Sequence, residues 1–142
     1  MSHPIGNFLY TEFMADDTES PRAEIHWEGE FLDVLRSWPV PVRKDFGLSL
    51  GEMQEGRRPR LDHRPMKSVG AGVFELKDSD NSAWYRLMYF RRIGNVIHIL
   101  HCFTKKTKKT EKRDLETART RFSQVKNRKV AEERDEKGKR KK

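Results

Sequence analysis

Residues 84–103 read WYRLMYFRRIGNVIHILHCF, and their pattern is the most informative in the chain. Two apolar and aromatic runs flank Gly94-Asn95, a dipeptide that favours a two-residue hairpin turn because both positions tolerate positive φ. With that turn Ile93 pairs with Val96, and the numbers of cross-strand partners sum to 189. We therefore predict an antiparallel hairpin at the centre of a sheet.

This register predicts which side chains share a face, because successive residues of a strand point to opposite faces. One face carries three facing pairs, which are Arg86 with Phe103, Met88 with His101, and Phe90 with Ile99. The other face is nearly all apolar and is expected to pack on helices; it carries Tyr85, Leu87, Tyr89, Leu100, Cys102 and Thr104. His98 and His101 are three apart and are therefore expected on opposite faces.

The flanking patterns predict the element order β-α-α-β-β-β-α. Strands are expected at 23–27 and 73–77, helices at 31–38 and 41–56, a basic loop at 57–65, and a last helix capped by Thr110. Helices beside an antiparallel hairpin indicate an α+β domain. We expect a small antiparallel, mixed-edge sheet of about four strands, packed against the N-terminal helices and a C-terminal helix.

The length of 142 residues is enough for one ordinary domain. Residues 1–22 have no sustained period and are predicted to be an N-terminal extension, followed by a domain over 23–127. Beyond Asn127 the chain has only Val130 and Ala131 as apolar residues. Residues 128–142 are therefore predicted to be a basic, disordered tail.

Composition narrows the class of protein. No apolar run approaches the ~20 residues of a membrane helix, and Met1-Ser2-His3-Pro4 does not begin a signal peptide. The lone Cys102 has no partner for an internal disulfide. We expect a soluble cytoplasmic protein with no membrane contact.

Charge is distributed unevenly along the chain. Residues 1–100 carry 13 basic and 15 acidic groups, for a net of −2, whereas residues 101–142 carry 17 basic and 7 acidic groups, for a net of +10. This asymmetry points to a polyanionic partner, most simply nucleic acid. The alternative is a solvated tail that binds nothing.

Arg86 is the residue of the hairpin that calls for explanation, because burying a guanidinium in an apolar strand is costly without an anionic partner. Two explanations are open, a salt bridge to Glu75 on the neighbouring strand or contact with a substrate phosphate. His101 shares the face of Arg86 and titrates near neutral pH, which makes it a candidate for proton transfer.

The densest basic motif is TKKTKKT at 104–110, where four ammonium groups and three hydroxyls precede a helix N-terminus. Such a junction favours anion binding. No metal site is predicted, since the sequence contains no Cys-x-x-Cys or His-Glu-x-x-His spacing. The sequence also contains no phosphate-binding glycine loop, and we expect no cofactor.

Three segments together resemble one known family. Two of them resemble the RelE/ParE toxin superfamily, which is also described as RelE/HigB: MKSVGAGVFELK at 66–77 and WYRLMY at 84–89. The third, HCFTKKTKKT at 101–110, resembles the HigB-like, phage-derived branch of that superfamily. The resemblance covers roughly residues 24–127.

The resemblance implies the toxin of a type II toxin–antitoxin module. Such toxins are metal-independent, ribosome-dependent endoribonucleases that cut mRNA and inhibit translation. The implied partners are the ribosome, mRNA and a cognate antitoxin, usually a helix-turn-helix protein. The 2′-hydroxyl of the substrate attacks the adjacent phosphate.

The resemblance also implies roles for individual residues. Arg86 matches the strand arginine that contacts the scissile phosphate, and Lys105 and Lys106 match the basic positions at the end of the strand. We take these three residues and His101 as catalytic candidates, with Lys105, Lys106 or His101 as the group that moves protons. The RNA-binding candidates are Lys67, Lys77, Phe103, Lys108 and Lys109.

The sequence departs from the family pattern at two positions. Lys77 stands where many members carry arginine, and Glu111 stands where many carry proline. The general base is left open. The main alternative function is a non-catalytic nucleic-acid-binding module on the same scaffold; a regulatory protein that binds an acidic partner is a third.

Overall fold

The computed structural model describes residues 22–93, 95–107 and 110–140. The elements in chain order are β1 (Glu24–Trp27), α1 (Phe31–Arg36), α2 (Val40–Gln54), β2 (Asp62–Pro65), β3 (Val73–Ser79), β4 (Trp84–Ile93), β5 (Val96–Lys105) and α3 (Lys112–Arg140). Residues 1–21, nearly all of the predicted N-terminal extension, and Gly94 of the predicted turn lie outside the described residues.

The strands form one mixed sheet in the order β1-β5-β4-β3-β2. β1 runs parallel to β5, and every other neighbouring pair is antiparallel. The predicted α+β class, with N-terminal helices and a C-terminal helix, is confirmed, and the arrangement is consistent with a RelE-like fold. Among the described residues, no helix is long and apolar enough to cross a membrane.

The sheet has five strands where about four were expected. The additional strand is β2, which lies inside the stretch predicted as a basic loop. Its sequence, Asp62-His63-Arg64-Pro65, contains no β-branched or aliphatic residue and so gave no strand signal. Proline is tolerated because β2 is an edge strand, which does not need every backbone donor.

The predicted hairpin register is confirmed for the half that is far from the turn. Arg86 pairs with Phe103 and Met88 pairs with His101. A β-bulge then skips Leu100, so that Phe90 faces His98 and the predicted pairing of Phe90 with Ile99 is wrong. A second irregularity skips Arg92, after which Ile93 pairs with Val96 as expected.

The bulge changes which residues of β5 share a face. Ile99 packs with the α1–α2 core, whereas Leu100 packs with the core under α3, which is the reverse of the predicted assignment. His98 and His101 lie on the α3 side together, rather than on opposite faces. Two consecutive residues, Leu100 and His101, face the same way because a bulge adds one residue without a cross-strand partner.

Two apolar cores sandwich the sheet. The first joins α1 and α2 to one face and contains Phe31, Leu35, Trp38, Val42, Phe46, Leu50, Met53, Leu76, Tyr85, Leu87, Tyr89, Ile97, Ile99 and Cys102. The second joins α3 to the other face and contains Met66, Val69, Val73, Met88, Leu100, Phe103, Ala118, Phe122 and Val125. Burying each large side chain stabilises the fold by about 1.5–3 kcal/mol.

The N-terminal helices follow their sequence signals. α1 buries Phe31 and Leu35, and Pro39 separates it from α2, whose first turn contains Pro41. The helical signals of α2 end at Gly56, which adopts a φ of 78° that favours glycine. These two helices cover the face of the sheet that lies opposite α3.

Helix α3 is longer than predicted. It begins at Lys112, two residues after the expected cap Thr110, and continues to Arg140, so that residues 128–140, predicted to be disordered, are helical. Their sequence has no proline and places Glu133 and Lys137, Asp135 and Lys139, and Glu136 and Arg140 four apart. Such i,i+4 pairs favour a helix without an apolar stripe.

The middle of α3 is fastened to the sheet by a polar contact. Arg128 Nη2 donates to both carboxylate oxygens of Glu28, at 2.9 and 3.0 Å. Glu28 is buried, and its Oε2 also lies 3.3 Å from Nδ1 of His98. Arg128 therefore belongs to the folded domain rather than to a tail.

Candidate functional site

An open groove of about 630 Å³ lies between the β2–β3 connection and the start of α3. It is lined by Arg64, Pro65, Met66, Lys67, Ser68, Thr110 and Leu115. Arg64 and Lys67 are exposed, and they give the groove a positive rim. Met66 and Leu115 give it an apolar wall.

Three contacts fix the shape of the groove, one within the β2–β3 loop and two between that loop and α3. The Met66 N–H donates to the Val73 carbonyl at 2.8 Å and closes the loop between β2 and β3. Arg119 of α3 donates from Nε to the Ser68 carbonyl at 2.7 Å. Gly70 lies against the ring of Phe122, where a side chain would not fit. These contacts fix the loop against the helix.

Beneath the groove, one buried carboxylate contacts two arginines. Glu75 of β3 is 0% exposed, and its Oε1 accepts from Nη1 of Arg86 at 2.9 Å and from Nε of Arg64 at 3.2 Å. Arg86 also donates to Oγ1 of Thr110 at 2.9 Å. The salt bridge between Arg86 and Glu75, one of the two explanations left open by the sequence, is therefore present.

Arg86 is 1% exposed, so its guanidinium lies under the floor of the groove rather than in it. Arg64 belongs to the same cluster, and its side chain is 48% exposed. Arg64 was not predicted from the sequence, because it is one of four arginines between residues 57 and 64 and the sequence does not distinguish them. The register of β2, which places Arg64 opposite Glu75, singles it out.

The lysines at the end of β5 differ in their surroundings. Lys105 is buried, with Nζ 2.9 Å from Oε1 of Glu111 and 3.9 Å from Oδ2 of Asp114, so two carboxylates lie near its ammonium group. Lys106 is exposed. The predicted RNA contacts Lys108 and Lys109 lie outside the described residues.

His101 is buried beside α3 and not in the groove. Its Nε2 lies 3.0 Å from Oδ1 of Asp114, and its ring stacks on Phe103 with a centroid distance of 4.6 Å. Burial lowers the pKa of His101 below its ordinary value, although the contact with Asp114 opposes the shift. The shift favours the neutral form of the imidazole.

The remaining predicted RNA contacts are placed in different surroundings. Lys67 is exposed in the groove, and Lys77 lies opposite Arg86 in register, with Nζ 3.2 Å from Oδ2 of Asp62. Phe103 is only 7% exposed and its ring stacks on that of His101, so it is not presented to an RNA base in this conformation. Tyr85 is also buried, and its hydroxyl donates to Asp80.

The structure thus separates the predicted site residues into two groups. Lys67 lines the groove, and the buried Arg86 is connected to the groove by its hydrogen bond to Thr110. Lys105 and His101 meet around Asp114, the helix residue that precedes the groove-lining Leu115. The groove combines cations, a hydroxyl and apolar contacts. In the described part of the chain, no group of three metal-binding side chains is brought together.

The fold and the groove define a small α+β protein with a cationic site at the start of its last helix. A family model described as phage-derived protein Gp49-like (DUF891) matches residues 33–123, which are 91 of the 142 residues. The chain belongs to this Gp49-like family, which is associated with the toxins of toxin–antitoxin systems. No curated protein and no solved structure matches the chain.

Proposed function

We propose that this protein is the toxin of a type II toxin–antitoxin module, and that it inhibits translation by cutting mRNA on the ribosome. The observation that carries the proposal is the cationic groove, in which exposed Arg64 and Lys67 lie above the buried Arg86. Membership of a family associated with such toxins supports the same function. The type of reaction proposed below is the one implied by the resemblance of the sequence to the RelE/HigB superfamily.

The proposed reaction is an RNA transesterification that needs no metal. The 2′-oxygen attacks the adjacent phosphorus, and the bond to the 5′-oxygen breaks, which leaves a 2′,3′-cyclic phosphate and a 5′-hydroxyl. A base takes the proton of the 2′-hydroxyl, and an acid gives a proton to the leaving oxygen. Cations around the phosphate stabilise the charge that develops in the transition state.

The described surroundings distinguish the candidates for these roles. The exposure of Lys67 on the groove rim supports phosphate contact by its ammonium group. Arg86 adds positive charge next to the groove and holds Thr110 through a hydrogen bond. Of the three candidates for proton transfer, Lys106 is exposed, whereas Lys105 and His101 are buried against carboxylates. We assign proton transfer to Lys106, and further backbone contacts to Lys77, Lys108 and Lys109.

A second candidate function is a nucleic-acid-binding module that does not cleave. The burial of His101 and Lys105 against Asp114 favours it, because neither group reaches the groove to accept a proton in this conformation. This module would use the same cations for phosphate contact.

Controlled expression of the wild type beside two single-charge variants separates the two functions. The variants are Lys106→Ala, the proposed proton-transfer residue, and Lys139→Ala, which removes a lysine far from it in sequence. If the proposal is right, the wild type arrests growth and cuts translated mRNA. Lys106→Ala then slows cleavage by about 10²-fold or more, the usual contribution of a proton-transfer group, while Lys139→Ala changes it by less than about twofold.

The outcomes distinguish the candidates directly. RNA binding without cleavage by the wild type would select the non-catalytic module. Equal losses from Lys106→Ala and Lys139→Ala would remove Lys106 from the mechanism. Absence of any effect on RNA, together with capture of a single acidic protein, would exclude both functions.

The proposed partners are the ribosome, mRNA and a cognate antitoxin with a helix-turn-helix domain. Co-expression with the gene product encoded beside this one tests the antitoxin. Neutralised toxicity and a stable complex on size-exclusion chromatography are expected, and undiminished toxicity would exclude that neighbour.

A further inference from the structure

We infer that Arg64 is the residue of the groove that binds the RNA phosphate directly, and that Glu75 holds it in position. This inference rests on the proposed function for its ligand class, a phosphodiester of single-stranded RNA. It replaces Arg86 as the direct phosphate contact and leaves Arg86 as a buried positioning residue.

Only one nitrogen of the Arg64 guanidinium donates to another described residue. Its Nε donates to Oε1 of Glu75, whereas its two terminal nitrogens have no hydrogen-bond partner among the described residues. The side chain is 48% exposed and lines the groove. A guanidinium held at Nε presents its terminal N–H groups as a planar donor pair, which matches two oxygens of a phosphate.

The charge beneath the groove favours an anion. One carboxylate, Glu75, contacts the two guanidiniums of Arg64 and Arg86, so this cluster carries a net charge of +1. Lys67 on the rim adds a second positive charge. A phosphodiester carries one negative charge and would neutralise the uncompensated guanidinium.

Other arginines in the same region are engaged differently. Arg86 is 1% exposed and reaches Thr110 rather than solvent. Arg60 is 55% exposed, but its Nε and Nη2 both donate to Oε2 of Glu52, at 3.1 and 3.0 Å. Arg60 therefore serves as a matched control, because it lies in the same segment with similar exposure and has its guanidinium paired.

The test compares Arg64→Gln, Arg64→Lys and Arg60→Gln with the wild type. Gln keeps an N–H group near Glu75 but removes the positive charge. Lys keeps the charge but lacks the planar pair of N–H donors. Cleavage of a defined mRNA is measured in a reconstituted translation reaction. Binding is measured as the salt dependence of affinity for a short single-stranded RNA with 2′-O-methyl groups, which cannot be cleaved. Thermal unfolding of each variant checks the fold.

We expect cleavage to fall by about 100-fold in Arg64→Gln and about 10-fold in Arg64→Lys, as for loss of a positioned charged donor. The salt slope of RNA binding should shrink by about 0.7 in Arg64→Gln, the value for one phosphate contact on a single strand. Arg60→Gln should change neither quantity. Losing cleavage in Arg64→Gln with an unchanged salt slope would overturn direct phosphate contact.

Failure of the inference and failure of the proposed function give different results. If the wild type cleaves mRNA and Arg64→Gln or Arg64→Lys cleaves equally well, the assignment of Arg64 is wrong and the function stands. If the wild type neither binds nor cleaves RNA, the proposed function is wrong and the assignment fails with it. If Arg64→Gln does not fold, Arg64→Lys decides between these outcomes, because it keeps a cation beside Glu75.

Discussion

Arg86 and Glu75 form an ion pair of 2.9 Å between adjacent strands, with 1% and 0% of the two side chains exposed. A buried pair of this kind contributes little compared with apolar residues of the same size, but removal of one partner leaves an uncompensated charge. The pair thus explains how a guanidinium is tolerated in an apolar strand.

Arg86→Ala should lower the free energy of unfolding by about 3–5 kcal/mol, because Glu75 would then be buried with Arg64 as its remaining cation. Urea unfolding measures the loss. The double variant Glu75→Gln with Arg86→Met should recover most of it, since neither charge is left buried. A loss below about 1 kcal/mol in Arg86→Ala would mean that water reaches the pair.

Asp78→Asn should stabilise the protein at neutral pH. Burial, a hydrogen bond with the Asp45 carboxyl and the nearby Asp80 raise the pKa of Asp78 from 3.8 to about 6. A carboxyl whose folded pKa is raised gives stability that is present at low pH and is lost as pH rises towards the folded value. After allowance for solvent screening, the variant should be more stable by on the order of 1 kcal/mol at pH above about 6.5.

Chemical denaturation at several pH values checks this prediction. The difference between Asp78→Asn and the wild type should shrink as the pH falls through about 6, where Asp78 binds its proton. A difference that is constant with pH would show that the variant acts through packing and not through the charge.

Gly70→Ala should lower the free energy of unfolding by about 1–3 kcal/mol, as is usual for overpacking. The added Cβ would overlap the ring of Phe122, which closes the groove loop against α3. Thermal and urea unfolding measure the loss, and Phe122→Leu in the same chain should recover part of it. If Gly70→Ala unfolds like the wild type, the loop can move away from the helix.

Gly47→Ala is the matched control for that substitution. Gly47 lies inside α2, and a Cβ there would meet nothing within 4 Å. The change should raise the free energy of unfolding by about 0.5–1 kcal/mol, the difference in helix propensity. The two glycines therefore predict effects of opposite sign.

Two truncations of α3 that differ by one residue should differ in stability. A chain that ends at Arg128 keeps both hydrogen bonds to Glu28, whereas a chain that ends at Asn127 leaves that buried carboxylate with His98. The shorter chain should be less stable by about 1–2 kcal/mol, the value of charged hydrogen bonds at a half-exposed position. Equal stabilities in urea unfolding would place Arg128 outside the cooperative unit.

The sequence predicted the elements whose side chains carry periodic information. Alternation and the Gly94-Asn95 dipeptide were enough for β4, β5 and the pairing of Arg86 with Phe103. The bulge at Leu100 could not be predicted from the sequence, because the apolar residues around it can pack on either face of the sheet. β2 was missed because an edge strand beside a polar groove needs no apolar alternation.

The candidate site was predicted less completely than the fold. The basic junction was identified from its run of lysines and Arg86 from its position in an apolar strand, but the burial of Arg86 and Lys105 depends on Glu75 and α3, which the sequence does not place. Arg64 was missed because its role comes from the β2 register. The continuation of α3 past Asn127 was missed because charged i,i+4 spacing, unlike an apolar stripe, also occurs in disordered chains.

Between the pairs Met88–His101 and Ile93–Val96, Leu100 on β5 and Arg92 on β4 are skipped by the register, and the two shifts cancel. Each strand contains one additional residue between the Met88–His101 pair and the turn, so the strands return to the original register at Ile93 and Val96. Deleting either residue alone would slide one strand against the other and turn core side chains to the wrong layer. Across related chains, gaps in this hairpin should therefore occur in pairs, one on each arm.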